Sequence, residues 1–231
     1  MTAVSARPAP ATTEPALSRE GPALGHHFQT LEQEHEAAEF GMWIFLMTEL
    51  MLFGGLFLAY IFYRTVYSTG FAEGSRHLEL SYGGPNTVVL IVSSLTMVLA
   101  VRSAQLGARR RLVGYLLATA ALGIAFLAIK GAEYYQHFLD GTVPVLAWTY
   151  AGPYPSQVQL FFFAYFALTG LHSVHLTIGI AIVLVAASMA SRGAFLVEHH
   201  IPLEMIGLYW HFVDTVWIFL LPLLYLFGFH P

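Results

Sequence analysis

The sequence predicts an all-α fold, a polytopic membrane bundle of five transmembrane helices, on three observations. Hydrophobic residues make up 57% of the 231-residue chain and charged residues only 10%, more apolar surface than a water-soluble domain can hide. Five apolar windows, at about 40–63, 86–105, 111–132, 159–187 and 205–228, are each long enough to cross a hydrocarbon core of about 30 Å at 1.5 Å per residue. The short stretch RSAQLGARRR, between the second and third windows, gathers Arg102, Arg109, Arg110 and Arg111, the signature of a cytoplasmic turn.

Residues 1–30 read as a polar, disordered leader rich in Ala, Pro, Thr and Ser, with no apolar core of the signal-peptide kind. Thr30 followed by Gln33, with several acids, predicts a capped helix start into the first window. Gly41, Thr48 and Gly55 then predict a small-residue stripe for close packing of another helix. With the N-terminus inside, Arg7, Arg19, the four arginines of the turn and Arg192 are cytoplasmic, whereas Arg64, Arg76 and Lys130 are outside. The C-terminus is then outside. Segments 64–85 and 133–158 are expected as the larger outer loops, the second without regular helix because of its three prolines. Pro222 is expected to kink or loosen the last helix. No internal repeat divides the chain, so 31–231 is read as one transmembrane domain.

The absence of cysteine excludes disulfides, thiolate metal sites, iron–sulfur clusters and c-type haem attachment, and no basic tract points to nucleic acid. A Gly-rich phosphate loop and a nucleophile triad are missing as well.

Chemistry is therefore sought in the polar residues of the apolar windows. Glu49 lies near mid-depth of the first, where a carboxyl group needs protein or water beside it. A neutral hydrogen-bonded acid that locks two helices and a proton relay both fit. Lys130, Glu133 and His137 share one face at the end of the third window, as an ion-pair lock or as two weak metal-ligand candidates. His172 and His175, three apart in the fourth, suit hydrogen bonds between helices. A haem held from both sides would need ligands from elsewhere, for which His211 is the other deep candidate. In the fifth, YWHFVD places His211 and Asp214 three apart beside Trp210, so the two can meet or both reach a neighbouring helix. Glu198, His199, His200 and Glu204 before that window form either a solvated loop or a metal-friendly cluster, and His26 and His27 are read with the same two alternatives.

The segments EQEHEAAEFGMWIFLMTELMLFGGLFLAYIFYR, NTVVLIVSSLTMVLAVRSA, LGIAFLAIKGAEYYQHF, FFFAYFALTGLHSVHLTIGI and LYWHFVDTVWIFLLPLLYL, in this order, resemble subunit III of haem–copper oxidases. The likeness is to the five-helix form in bacterial cytochrome c oxidases and spans about 30 to 228. It implies an accessory bundle beside oxidase subunit I, with subunit II in the same complex, in a machine that reduces oxygen to water and pumps protons. Haem and copper would belong to the partner subunits, and this chain would bind no cofactor beyond membrane phospholipid and form no catalytic centre. By the same resemblance, Glu49, Glu133, His172, His175, Trp210, His211 and Asp214 take structural or lipid-proximal roles. The implied place is a bacterial inner membrane, with the N-terminus cytoplasmic and the C-terminus periplasmic, and membership of a larger respiratory supercomplex is compatible with it. A quinol oxidase subunit III, a component accompanying nitric oxide reductase, and a proton-coupled transporter built on Glu49, His211 and Asp214 are the alternatives. The longer members have two further helices and a lipid cleft between those and the rest. A cleft of that kind would need a wall from another subunit here.

Overall fold

The computed structural model describes residues 31–195 and 201–226. The helices are α1 (Leu31–Val66), α2 (Ser68–Arg76), α3 (Leu80–Gln105), α4 (Arg109–Leu139), α5 (Pro155–Ser191) and α6 (Ile201–Leu221). A π-helical turn, Pro222–Leu226, continues α6, and a two-stranded hairpin, β1 (Thr142–Val143) with β2 (Ala147–Trp148), lies between α4 and α5. Among the described residues five helices are long and apolar enough to span a membrane, α1 and α3 to α6. The proposed leader, His26, His27, Thr30 and the run Glu198 to His200 lie outside the described residues.

Long apolar runs become helices here because in lipid every backbone N–H and C=O must be satisfied within its own segment. Two glycines end them cleanly. Gly107 (φ 67°) follows α3, with Gly107 N–H donating to Ala104 O at 2.9 Å and Ala108 N–H to Ser103 O at 2.8 Å. Gly193 (φ 98°) follows α5 with the same pair of bonds, from Gly193 to Ala190 O and from Ala194 to Met189 O. Both close a Schellman motif, whose left-handed residue carries no Cβ penalty when it is glycine.

The first expected outer loop is largely helical: α1 runs to Val66, α2 follows, and α3 already starts at Leu80. In the second, α4 runs on to Leu139 and α5 starts at Pro155, while the stretch between them has no helix and carries the hairpin. Apolar character stops before the helix does, because polar residues at the end of a span find partners in the bundle. α2 lies against α5 through Gly70 and Gly74, where added side chains would collide with Gln157 and Phe161. Pro222 coincides with the change from α-helix to π-turn, as a residue that lacks an N–H should.

The core sits between α3, α4, α5 and α6, around Met97, Leu116, Phe126, Leu176, Trp210 and Trp217, all fully buried. α1 is different. Only 11% of its apolar window is buried, against 44% for the last span. Residues beyond Ala37 attach it to α5 and α6 mainly by long side chains: Phe45 meets Tyr209, and Phe53 meets His175 and Phe212. The stripe of Gly41, Thr48 and Gly55 is exposed and meets no described residue of this chain. Small residues allow close approach but supply no attraction of their own.

Candidate functional site: buried polar groups of the bundle

Among the described residues, three polar groups in the spans hold the predicted site residues. The first is at the C-terminal end of α4. Lys130 Nζ donates to Glu133 Oε2 at 2.8 Å, to Tyr225 OH at 2.7 Å and to Tyr165 OH at 3.0 Å. Tyr165 OH donates to Glu133 Oε1 at 2.7 Å, and Tyr225 OH donates to the same oxygen. All three ammonium donors and both carboxyl oxygens are thus used, which is the condition for a buried ion pair to persist. The ammonium also faces the rings of Tyr165, Trp217 and Tyr225. His137 does not join its neighbour Glu133; its Nδ1 pairs with Thr142 Oγ1 at 3.1 Å in the hairpin. The α4 spacing exposes Lys130 and Glu133 to sequence reasoning, but Tyr165 and Tyr225, 35 and 95 positions from Lys130, carry no local signal.

The second group joins α1 to α5. His175 Nε2 and Glu49 Oε2 are 2.8 Å apart, and His175 Nδ1 is 2.9 Å from Leu171 O. A carbonyl only accepts, so Nδ1 carries a proton and donates to it. The contact with Glu49 then contains one proton more, as acid to imidazole or as imidazolium to carboxylate. In either form the pair is neutral overall, which suits its depth. Tyr209 OH donates to His175 O at 2.9 Å and ties α6 to the same turn. Beside the pair is an apolar cleft of about 440 Å³, walled by Met42, Phe45, Ile178, Ile182 and Ile206 among others.

The third group lies on α3 and α6. Trp210 Nε1 donates to Ser93 Oγ at 3.0 Å, and the indole fits against Gly123 of α4 and Gly179 of α5, where any side chain would press on it. Trp217 Nε1 donates to Thr87 Oγ1 at 3.1 Å. His211 Nδ1 pairs with Ser94 Oγ at 2.8 Å, not with Asp214. Both oxygens of Asp214 are without a hydrogen-bond partner among the described residues. His172 is fully buried between Phe126 and Trp217, and both of its nitrogens are likewise unpartnered. Of the two histidines on α5, only His175 therefore reaches another helix by hydrogen bonding among the described residues. Glu204 accepts from Gln105 Nε2 at 2.9 Å.

These histidines do not surround a common centre. Both nitrogens of His175 are engaged, one nitrogen of His211 is, and His172 faces aromatic rings. Among the described residues no three His, Asp or Glu side chains converge as a metal site. What the arrangement can do is bind helices together and hold protons at fixed places.

The match that decides the family is to the model of cytochrome c oxidase subunit III, over residues 14–229. The chain belongs to that family. It is 35% identical over 210 residues to cytochrome c oxidase subunit 3 of Synechocystis, covering 89% of this chain and 80% of the relative. To the subunit of the same name from Thermostichus vulcanus it is 30% identical, covering 85% and 92%. To cytochrome bo(3) ubiquinol oxidase subunit 3 of Pseudomonas aeruginosa it is 29% identical, covering 89% and 92%. The chain is thus a multi-pass membrane protein and a subunit III of a haem–copper oxidase, associated with other oxidase subunits as part of an enzyme complex.

Proposed function

We propose that this subunit III serves a cytochrome c oxidase as a non-catalytic component that stabilises the oxygen-reducing subunit I during sustained turnover. The observation that carries the reading is the family match, which runs through all five spans, with higher identity to the cytochrome c oxidase relative from Synechocystis than to the ubiquinol oxidase one. Subunit I is its main neighbour and subunit II lies in the same complex; haem and copper reside in those partners. The quinol oxidase reading rests on the Pseudomonas relative, and the donor-binding subunit discriminates the two.

The polar groups then have separate tasks. Glu49 with His175 fastens the side-chain-attached α1, and Glu133 with Lys130, Tyr165 and Tyr225 fixes the outer ends of α4, α5 and the turn after α6. Trp210 and His211 hold α6 to α3, while His172 fills an aromatic cage and Asp214 floors a lipid-side cleft. The apolar cleft beside Glu49 suits a phospholipid acyl chain. The membrane is a bacterial inner membrane, with the Arg109 to Arg111 turn cytoplasmic, so that the N-terminus is inside and the C-terminus periplasmic.

Affinity purification through this chain tests the assignment. Haem absorption and oxygen uptake driven by reduced cytochrome c should accompany it, and the chain released from the complex should lack haem absorption. Uptake driven only by quinol moves the chain to the quinol oxidase class. Proton flux in vesicles that hold this chain alone would overturn the accessory reading.

A further inference from the structure

We propose that the cleft between α3 and α6 binds the hydroxyl group of a neutral, bilayer-soluble amphiphile, recognised by Asp214 and His211. The cleft has a volume of about 310 Å³, and Ser94, His211, Asp214 and Trp217 line it together with aliphatic residues. Asp214 is only 5% exposed and neither carboxyl oxygen has a partner among the described residues, so a polar occupant of the cleft is needed to satisfy it. His211 uses Nδ1 for Ser94, which leaves Nε2 as its remaining polar atom.

The chemistry of these free valences selects the ligand. Burial without a counter-charge favours the neutral acid of Asp214, which offers one O–H donor and one carbonyl acceptor, and His211 adds Nε2 as a further polar atom. A hydroxyl answers both, because it donates one hydrogen and accepts through its oxygen. Depth narrows the class further. Asp214 follows Ile201 by 13 residues and precedes Tyr225 by 11, or about 20 and 16 Å along the helix. Phosphate and ammonium headgroups stay at the membrane surface. The rim is apolar and open: Ile91, Leu95 and Ile218 are each more than half exposed, as a hydrocarbon tail requires. A hydroquinone and a diglyceride both present such a hydroxyl on a neutral, membrane-soluble body.

The test uses the intact oxidase complex, cyanide-inhibited, in nanodiscs. Bound decylhydroquinone and dioctanoylglycerol are counted per complex, each against its methyl ether, which cannot donate. In the wild type at least one hydroxyl probe should be retained about tenfold more than its ether. Asp214→Leu should abolish that excess. So should Leu95→Trp, which fills the mouth from an exposed position and leaves the buried carboxyl in place. Excess retention of only one probe identifies the source as hydroquinone or glyceride. Equal retention of probe and ether, or an excess that survives both variants, overturns the proposal, as does retention of neither probe, which leaves water as the occupant. A photoreactive side chain at position 95 that labels a partner subunit instead of the probe assigns the cleft to a protein helix and overturns it too.

Discussion

Replacing Glu133 by Leu should be the most damaging single change in the Lys130 network, and a second change should largely undo it. At 2.8 Å and an effective dielectric constant of about 20, the Lys130–Glu133 attraction amounts to about 6 kcal/mol. Burial of the two charges, whose side chains are 2% and 3% exposed, costs several kcal/mol per ion, so the pair is close to neutral as a whole. Glu133→Leu removes the attraction but leaves an ammonium among two phenols and an indole. The expected loss is about 3–5 kcal/mol. Lys130→Met should be milder, because Tyr165 and Tyr225 still donate to the Glu133 carboxylate. The double variant Lys130→Met with Glu133→Leu carries no buried charge and should lie within about 1–2 kcal/mol of wild type. Reversible unfolding of the full chain by SDS in mixed micelles, followed by tryptophan fluorescence, gives the four stabilities of the cycle. A double variant no more stable than Glu133→Leu would refute the reasoning, since it would mean that the losses come from packing and not from an unpaired charge.

Glu49→Gln should keep assembly and the initial rate of oxygen reduction, because the amide can still donate to His175 Nε2, with faster activity loss during prolonged turnover as the sign of a weakened α1 attachment. Time courses of oxygen consumption and proton release in vesicles check this, and an immediate loss of pumping at full subunit occupancy would contradict it. Gly123→Val should destabilise the bundle by about 1–3 kcal/mol, since a Cβ at Gly123 already stands 2.9 Å from Ile180 and 3.0 Å from the Trp210 indole; the same SDS titration reads it. The chain has no cysteine, so single Arg110→Cys and Leu146→Cys variants report topology directly. A membrane-impermeant maleimide should label position 146 in intact spheroplasts and position 110 only after lysis. His211→Phe should weaken retention of the subunit in harsh detergent only partially, by the about 0.6–2 kcal/mol of one interhelical hydrogen bond to Ser94.

The five spans, the arginine turn and the family were legible in the sequence because each is a property of a contiguous stretch: apolar length, a charge cluster, a run of motifs in order. Lys130 with Glu133 was legible for the same reason, as neighbours on one helical turn. Partner choice across helices was not. Whether His172 or His175 meets Glu49 depends on how far α5 is rotated and at what depth it passes α1, and two residues three apart on one helix are equivalent to any local pattern. The tertiary packing chose His175, left His172 among aromatic rings, turned His211 toward Ser94 and left Asp214 without a hydrogen-bond partner among the described residues. It also ran helix through segments that composition alone marked as loops, because α2 and the end of α4 find their partners on α5 and at the end of the last span. Sequence by itself determined which residues must leave water; only the register and rotation of the helices, set by packing over the whole bundle, decided which polar groups meet once they have left it.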